Sequence, residues 1–522
     1  MGKARNNYEL RKANYDLKTL NKQSKIVNPY TLTHIPKILV CGQGENEQPC
    51  AKPTHQRFWC AGKSAGYSQQ GVGVNLKSKI VNPPFVPPLA KGGMGGFGIA
   101  FDIGTTTIVG SLINLETFKD IGTDSTPNPQ SRFGKDILSR IKCIMENASN
   151  LDILQQDVIS ACNSIINSIV RQSPVLSKED IALIVAVGNS VMEHIFLGIS
   201  PTSLAKVPYR PVFKDARELS VKDIGLDISS AAKVYAFPLI GGFVGGDTVG
   251  VILSTNIHKI KGYALAIDIG TNSEIVLSSK GSLYATSAAA GPAFEGGSIK
   301  HGMIAKKGAI QGIGIKNDKL LLDVIGDTTP EGICGSGIID AIAKLLDIGI
   351  IDTTGRIKNR NEVEGNIANR IIEEGQGSGV RGQGNEFVLY KDAKKEITVT
   401  QNDVRELQLA KSAIQAGIKL LLKKAKSNTD EIEKVFIAGA FGSNINKDSL
   451  AKIGVLEKAW IDKVIFVGDA ALDGAKLALC SEEKRKEAED IAKQTKHLSL
   501  SGSAHFQEEF MKGMGFPERS RQ

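Results

Sequence analysis

Two short segments, 165 residues apart, place a carboxylate, a glycine and several polar side chains at the end of an apolar run. Their chemically useful residues are Asp102, Gly104, Thr105, Thr106 and Thr107 in the first segment, and Asp268, Gly270, Thr271 and Asn272 in the second. A glycine turn can point successive backbone N–H groups at an anion, and hydroxyl groups add donors for phosphate oxygens. The pair predicts two related half-domains that face each other across a phosphate, as in a nucleotide-handling enzyme.

Buried strands must position these groups. Short apolar runs precede both carboxylates, as expected for the inner part of a strand. Because an unpaired charge is costly to bury, we expect Asp102 and Asp268 to emerge at strand ends, near a cation or a polar ligand. Asp102 would help to hold Mg²⁺ through the waters of the ion, and Asp268 would orient or deprotonate an attacking water.

Further glycine turns follow apolar strands near residues 188, 439 and 468. Open α/β folds bind ligands beyond the carboxyl ends of their strands, so these turns should cluster on one side. Gly439, Ala440 and Gly442 would let an adenosine approach the backbone; a plain packing turn is the alternative for this segment. A GxxxxGK[ST] pattern is absent from the sequence, which excludes a P-loop enzyme.

Length and composition indicate a globular protein of two to four domains. The 522 residues are 41% hydrophobic and 23% charged. No apolar run of about 18 residues predicts a membrane span, and the N-terminus lacks an apolar signal core, so a cytoplasmic location is the default expectation. The net charge of +9 comes from the first hundred residues. The body of the chain is close to neutral, which argues against nucleic acid as a partner.

The composition and residue patterns along the chain indicate four regions. Residues 1–98 are basic and rich in glycine and proline, and they contain Ser-Lys-Ile-Val-Asn-Pro twice, at 24–29 and 78–83. We expect this segment to be a disordered arm or a translated repeat. Residues 99–257 and 258–482 form the two predicted half-domains, with strands at 108–115 and 181–188 and a helix at 401–426. Residues 483–522 are predicted to be a charged tail.

The seven cysteines do not predict a metal cluster. They lie at positions 41, 50, 60, 143, 162, 334 and 480, and no pair has the CxxC spacing of a zinc ribbon or an iron–sulfur site. Convergence of the first three on a metal is an alternative, but their spacing fits no known motif. Free thiols are expected.

Together these motifs resemble the superfamily of acetate kinases, sugar kinases, Hsp70 chaperones and actin. Segments 102–107 and 268–273 match its two phosphate motifs, and 436–444 matches its adenosine motif. Additional segments resemble the reductive activators of corrinoid proteins; they lie at 128–130, 132–141, 188–189, 290–297, 332–337 and 403–411. The resemblance covers about residues 98–480. It implies an α/β, actin-like ATPase with two ribonuclease-H-like half-domains around a nucleotide cleft.

The resemblance also implies an activity: an ATPase that drives the reduction of a corrinoid protein from Co(II) to Co(I). ATP and Mg²⁺ are the implied cofactors. Members usually carry a [2Fe–2S] module, which the cysteine spacing of this chain does not support. The expected electron donor is therefore a separate ferredoxin; the alternative is that the chain is a truncated or remodelled member. A homodimer is one candidate assembly. The alternatives are a small-molecule kinase of the same superfamily and a nucleotide-gated, non-catalytic scaffold.

Overall fold

A computed structural model describes residues 96–172, 176–316, 318–375, 384–439 and 445–518. The predicted disordered arm, 1–98, lies outside these residues except for its last three, of which Phe97 and Gly98 begin the first strand. None of the described helices is both long enough and apolar enough to cross a membrane.

The first half is built on a six-stranded sheet with the spatial order β3-β2-β1-β4-β6-β5. Strand β1 pairs antiparallel with β2 and parallel with β4, so the first three strands form a meander and the fourth returns by a crossover. The strands are β1 (Phe97–Ile103), β2 (Thr107–Asn114), β3 (Lys119–Pro127), β4 (Ile181–Gly188), β5 (Arg217–Ser220) and β6 (Lys233–Ala236).

The second half repeats this arrangement in a sheet with the order β17-β16-β7-β8-β9-β18. Again three consecutive strands form an antiparallel meander, and a later strand pairs parallel with the first of them. The strands are β7 (Tyr263–Asp268), β8 (Asn272–Ser279), β9 (Ser282–Ala289), β16 (Lys434–Ala438), β17 (Val464–Gly468) and β18 (Lys496–His497). The repeated topology confirms the two related, ribonuclease-H-like halves.

Two three-stranded sheets belong to the second half. Their orders are β11-β10-β12 and β13-β14-β15. The strands are β10 (Ala309–Lys316), β11 (Lys319–Val324), β12 (Gly332–Ile333), β13 (Ile371–Ile372), β14 (Glu386–Lys391) and β15 (Glu396–Thr400).

The helices cover both faces of the two large sheets. They are α1 (Ile137–Glu146), α2 (Asn150–Arg171), α3 (Ser190–Phe196), α4 (Val221–Ile224), α5 (Gly246–Thr255), α6 (Gly335–Asp347), α7 (Gln401–Ala425), α8 (Lys447–Ile453), α9 (Ala470–Cys480), α10 (Glu482–Gln494) and α11 (Ala504–Gly513). Helix α2 packs on one face of the first sheet, and α6 and α7 pack on one face of the second. Helices α5 and α9 share a single apolar core with the remaining faces of both sheets.

Helices α5 and α9 cross with their backbones in direct contact. A Cβ atom added to Gly474 would lie 2.3–2.5 Å from the backbone of Gly250, and one added to Gly250 would lie 2.7 Å from the carbonyl oxygen of Ala471. Glycine at the crossing therefore allows an approach that a side chain would prevent. Since both helices pack on both sheets, their crossing connects the two halves through direct packing.

The predicted charged tail differs from the structure. Residues 482–494 form α10, and Lys496 and His497 add an edge strand by pairing with Tyr284 and Ala285. Helix α11 follows, and Phe510 and Phe516 lie in the core of the second half. Only Ala488, Ile491 and Ala492 of α10 are buried, and most of its other residues are charged. The sequence of this helix therefore gives little sign that it packs against the rest of the protein.

Candidate functional site

The two predicted phosphate turns lie face to face. Asp102 is the penultimate residue of β1, and Asp268 is the last residue of β7. Gly104, Thr105 and Thr106 form the turn after β1, Thr107 begins β2, and Gly270 and Thr271 form the turn before Asn272, which begins β8. The Oγ1 atoms of Thr106 and Thr271 are 3.1 Å apart, so the two turns touch across the cleft.

Three buried polar side chains hold the first turn from behind. The side-chain amide of Asn128 donates to the carbonyl oxygen of Gly104 over 2.9 Å, and that of Asn189 donates to Thr105 Oγ1 over 3.0 Å. The guanidinium of Arg140 donates to the carbonyl oxygen of Thr105 over 2.6 Å. These contacts use carbonyl and hydroxyl oxygens. None of them uses a backbone N–H group of the turn, which is the donor that an anion needs.

Arg140 is fully buried, and among the described residues no carboxylate is in hydrogen-bond contact with it. Its other donors reach Gln130 Oε1 at 2.9 Å, the carbonyl oxygen of Gly134 at 3.3 Å and the sulfur of Met192. Burial lowers the pKa of its guanidinium to about 10, although the nearby Asp136 acts in the opposite direction. A buried cation fixed by oxygen acceptors makes the first turn rigid.

The second turn is held by a carboxylate. The backbone N–H of Thr271 donates to Glu295 Oε1 over 2.8 Å, and its hydroxyl donates to Glu295 Oε2 over 3.1 Å. Glu295 ends a short 3₁₀ turn, Pro292–Glu295. Beside this turn, the Asn272 side-chain Nδ2 atom is buried and has no hydrogen-bond partner among the described residues.

Four carboxylates from both halves converge on the cleft. Asp102 and Asp268 are joined by Asp247, in the first turn of α5, and by Asp469, the N-cap residue of α9. Burial raises the pKa of Asp102, and repulsion from the other three carboxylates adds to the shift. Burial, followed by Asp247, Asp469 and Glu295, raises the pKa of Asp268 to about 8. The pKa of Asp247 is raised by burial to about 6.

Two further carboxylates lie behind this cluster. Burial raises the pKa of Glu274, with Asp247 and Asp268 contributing, and burial together with Asp247 raises that of Glu193. Glu193 Oε1 accepts the backbone N–H of Gly246 over 3.0 Å, whereas its Oε2 atom is buried without a hydrogen-bond partner among the described residues.

The adenosine motif is only partly described. Gly439 follows β16 with a φ of 130°, and its N–H donates to the carbonyl oxygen of Gly468 over 3.0 Å. Ala438, just before it, pairs with Asp268, so this strand end lies beside the second phosphate turn. The predicted ligands Ala440 and Gly442 lie outside the described residues.

These residues fit a nucleotide with a divalent cation. The unpartnered amide of Asn272 offers a donor, and burial together with neighbouring carboxylates raises the pKa values of Asp102 and Asp268, so a bound cation would relieve their repulsion. Among the described residues, no three His, Cys, Asp or Glu side chains are placed to bind one metal ion directly. This geometry suits Mg²⁺, which keeps several waters and is shared between carboxylates and phosphates.

Sequence reasoning overlooked several of these residues. Asp469 directly follows β17, a strand that is apolar in sequence but only half-buried, so the rule that located Asp102 at the end of an apolar strand could have found it. Asp247 follows Gly245 and Gly246 at the start of an apolar helix, which is a weaker signal. Glu295 and Arg140 lie in segments that carry the family resemblance, but their contacts with the turns depend on the tertiary fold.

Comparison with known proteins assigns both halves of the chain to one family. A model described as the RACo middle region matches residues 97–260, and one described as the C-terminal, ASKHA domain of RACo matches residues 262–522. The corrinoid activation enzyme RamQ of Eubacterium limosum is 36% identical over 428 residues, which are 80% of this chain and 69% of RamQ.

Two other proteins extend the comparison. The reductase of the Co(II) methylated-amine-specific corrinoid protein of Methanosarcina barkeri is 24% identical over 447 residues, 78% of this chain and 75% of the reductase. The solved structure of a reductive activator for a corrinoid, iron–sulfur protein has a TM-score of 0.75 and 35% identity, and the match covers 82% of this chain and 67% of the activator. The chain therefore belongs to the RACo family, the reductive activators of corrinoid proteins, and carries their actin-like ATPase fold.

Proposed function

We propose that this protein hydrolyses ATP in the cleft between its two halves and uses the cycle to drive a corrinoid protein from Co(II) to Co(I). The observation that carries the proposal is the contact between the two phosphate turns, with carboxylates of both halves around it. Relatives named as a corrinoid activation enzyme and a Co(II) corrinoid protein reductase supply the substrate class.

The proposed roles follow from position. Backbone N–H groups and hydroxyls of residues 104–107 and 270–272 would hold the β- and γ-phosphates. Asp102 would bind Mg²⁺ through its waters, with Asp247 and Asp469 completing the acidic wall. Asp268 would orient the attacking water and accept its proton. A bound cation would lower the pKa of Asp268 from about 8 and so favour the basic form. Gly439, with Ala440 and Gly442, would lie against the adenosine.

Reduction of the corrinoid protein needs electrons as well as ATP. The described cysteines, Cys143, Cys162, Cys334 and Cys480, are free thiols far apart in sequence, and they do not fit a [2Fe–2S] cluster. Cys41, Cys50 and Cys60 lie outside the described residues. We therefore propose a separate ferredoxin as the electron donor. The boundaries 99–257 and 258–482 and the homodimer stay predictions.

ATP can assist the reduction only through differential affinity. If the ATP-bound form binds the Co(II) protein in a ligation state that is easier to reduce, each tenfold preference for that state corresponds to about 1.4 kcal/mol. The nucleotide then shifts the reduction equilibrium by the coupling free energy between the two binding events.

The test measures phosphate release and Co(I) formation together. Purified protein is mixed with Mg-ATP, a Co(II) corrinoid protein and a low-potential donor, and the cobalt state is followed by absorbance. We expect ATP-dependent Co(I) formation, and phosphate release that the corrinoid protein stimulates. Asp268→Asn should lose both activities while it still binds ATP, and Asp327→Asn, which alters an exposed carboxylate of the same half, should retain them.

Two outcomes would contradict the proposal. A phosphorylated small molecule as the product would identify a kinase. Binding of ATP without hydrolysis, with Co(I) formation independent of ATP, would identify a nucleotide-gated scaffold.

A further inference from the structure

Glu295 occupies the donors that a phosphate would use. Its two carboxylate oxygens accept the backbone N–H and the hydroxyl of Thr271, 2.8 Å and 3.1 Å away. Both donors belong to the second Gly-Thr turn, which is an anion-binding geometry. A carboxylate with two oxygens in hydrogen-bond contact is a close chemical substitute for two oxygens of a phosphate.

The same carboxylate closes the cleft. The single hydroxyl hydrogen of Thr271 is directed at Glu295, so the Thr106 hydroxyl must be the donor in its 3.1 Å contact with Thr271. The result is a chain of hydrogen bonds that begins on the first half, at Thr106, and ends on the anionic Glu295 of the second half. The two halves are thus joined at the phosphate site by an acceptor supplied by the protein.

A phosphate and Glu295 cannot share this place. Both are anions, and the turn has one backbone N–H and one hydroxyl to offer at Thr271. Glu295 also raises the pKa of Asp268, which locates its charge near the proposed catalytic carboxylate. Competition from a phosphate for the two Thr271 donors favours its departure.

The turn that carries Glu295 has a buried residue at its centre and a glycine at each end. Gly291 and Gly296 flank the 3₁₀ turn Pro292–Glu295, and both have a φ of 77°, in the region where a side chain would be strained. Phe294 is buried in the core and fixes the middle of the segment, so we expect rotation of the Glu295 side chain with movement of the glycines beside it.

The chain that follows Glu295 forms one wall of a cavity. Residues Ser298, Ile299 and Lys300 line a cavity of about 660 Å³ together with the first turn of α7. The N–H of Lys300 donates to Asp403 over 2.9 Å, and Asp403 also accepts the N–H of Thr400 at the start of α7. Glu295 therefore lies three residues before the first residue of this wall and five residues before Lys300, whose N–H is bonded to α7.

We propose that Glu295 is a displaceable anion that occupies the second phosphate turn in the nucleotide-free protein. Binding of ATP expels it, and the expulsion loosens residues 296–300 and so changes the wall of the cavity beside α7. The proposal rests on the proposed nucleotide site. It adds a gating residue and identifies a part of the surface whose shape depends on the nucleotide.

Nucleotide affinity is the first test. Glu295→Ala removes the competing anion, and Glu295→Gln keeps the shape but removes the charge. Because the apparent affinity is proportional to the fraction of molecules whose site is free of Glu295, we expect both variants to bind a non-hydrolysable ATP analogue about three- to tenfold more tightly. Glu364→Ala, which removes an exposed carboxylate of the same half, should leave the affinity unchanged.

Hydrogen–deuterium exchange of the wild-type protein is the second test, and it does not depend on a variant that folds. The analogue should speed exchange in residues 296–300, while residues 270–272 stay protected by the phosphates. A ligand that merely rigidified the site would slow exchange in both segments.

The outcomes separate this proposal from the proposed function. Weaker or unchanged binding by both variants, or slowed or unchanged exchange at 296–300, would overturn the role of Glu295 while leaving the ATPase intact. A wild-type protein that binds no ATP analogue at all would overturn the nucleotide site itself.

Discussion

Asp268→Asn should stabilise the nucleotide-free protein, although under the proposed function it should abolish turnover. The pKa of Asp268 is about 8, against an ordinary value of 3.8, because the carboxyl is buried among Asp247, Asp469 and Glu295. At pH 7 the side chain is ionised in the unfolded chain and mostly protonated in the folded one. Each pKa unit between the pH and the unfolded value then costs about 1.4 kcal/mol of folding free energy.

The magnitude follows from that difference. About three units separate pH 7 from the ordinary pKa, which gives an upper value of about 4 kcal/mol. Because Asp268 is partly exposed at the cleft, water screens the interaction, and about 2 kcal/mol is a fair lower value. For a fold of roughly 420 residues, about 2–4 kcal/mol raises the melting temperature by about 2–5 °C.

The pH dependence has a definite sign. Below the ordinary pKa the carboxyl is protonated in both states, so it costs no stability there. The cost grows as the pH rises from about 3.8 towards about 8, where the folded carboxyl ionises as well. The advantage of Asp268→Asn should therefore be large at pH 7, less than half as large at pH 5, and absent near pH 3.8.

Thermal denaturation with a chelator and without nucleotide measures this directly. Wild type, Asp268→Asn and the control Asp327→Asn are compared at pH 7 and pH 5. If Asp268→Asn is less stable than wild type at pH 7, or if its advantage is equal at both pH values, burial and the neighbouring carboxylates do not raise the pKa of Asp268. Undiminished ATP hydrolysis by Asp268→Asn would refute its catalytic role.

Three further predictions concern the same cleft. Arg140→Met should leave two buried acceptors unpaired, costing about 2–4 kcal/mol in denaturant unfolding and weakening ATP binding, whereas Arg132→Met at an exposed ion pair should cost less than about 1 kcal/mol. Gly474→Ala should force α5 and α9 apart at Gly250 and cost about 1–3 kcal/mol, whereas Gly515→Ala, with its nearest neighbour at 3.5 Å, should be tolerated. Mg²⁺ with an ATP analogue at a hundred times its dissociation constant should stabilise the wild type by about 2.7 kcal/mol. Calorimetry should show a smaller stabilisation as the pH drops towards 5, because the carboxylates that bind the cation become protonated.

Local patterns predicted the parts of the site that lie next to each other in sequence. The Gly-Thr turns, the strand at 181–188 and the long helix after Thr400 follow from apolar runs that end at a glycine or a cap. Each of these features is determined by residues that lie close together in the sequence, which is why the sequence alone suffices.

The remaining parts depend on contacts between distant segments. Arg140 reaches Thr105 across 35 residues, and the two phosphate turns meet across 165. The Glu295 contact needs the loop after β9 to fold back on the turn before β8. The C-terminal helices were misjudged for a related reason, since their stability comes from a few apolar residues placed against a core that only the fold assembles.

The position of the acidic cluster explains how a charge change in the cleft could reach the whole molecule. Asp247 lies in the first turn of α5, and Asp469 caps α9. Both helices begin at the cleft and cross at Gly250 and Gly474, where their backbones touch. A cation that relieves the repulsion between these carboxylates, or a phosphate that displaces Glu295, acts on the helix ends nearest the site. Each of these two helices lies against both sheets, so a shift at either helix end would act on the packing contacts of both halves. A partner that binds one arrangement of the two halves more tightly than the other would then bind this protein with an affinity that depends on the bound nucleotide.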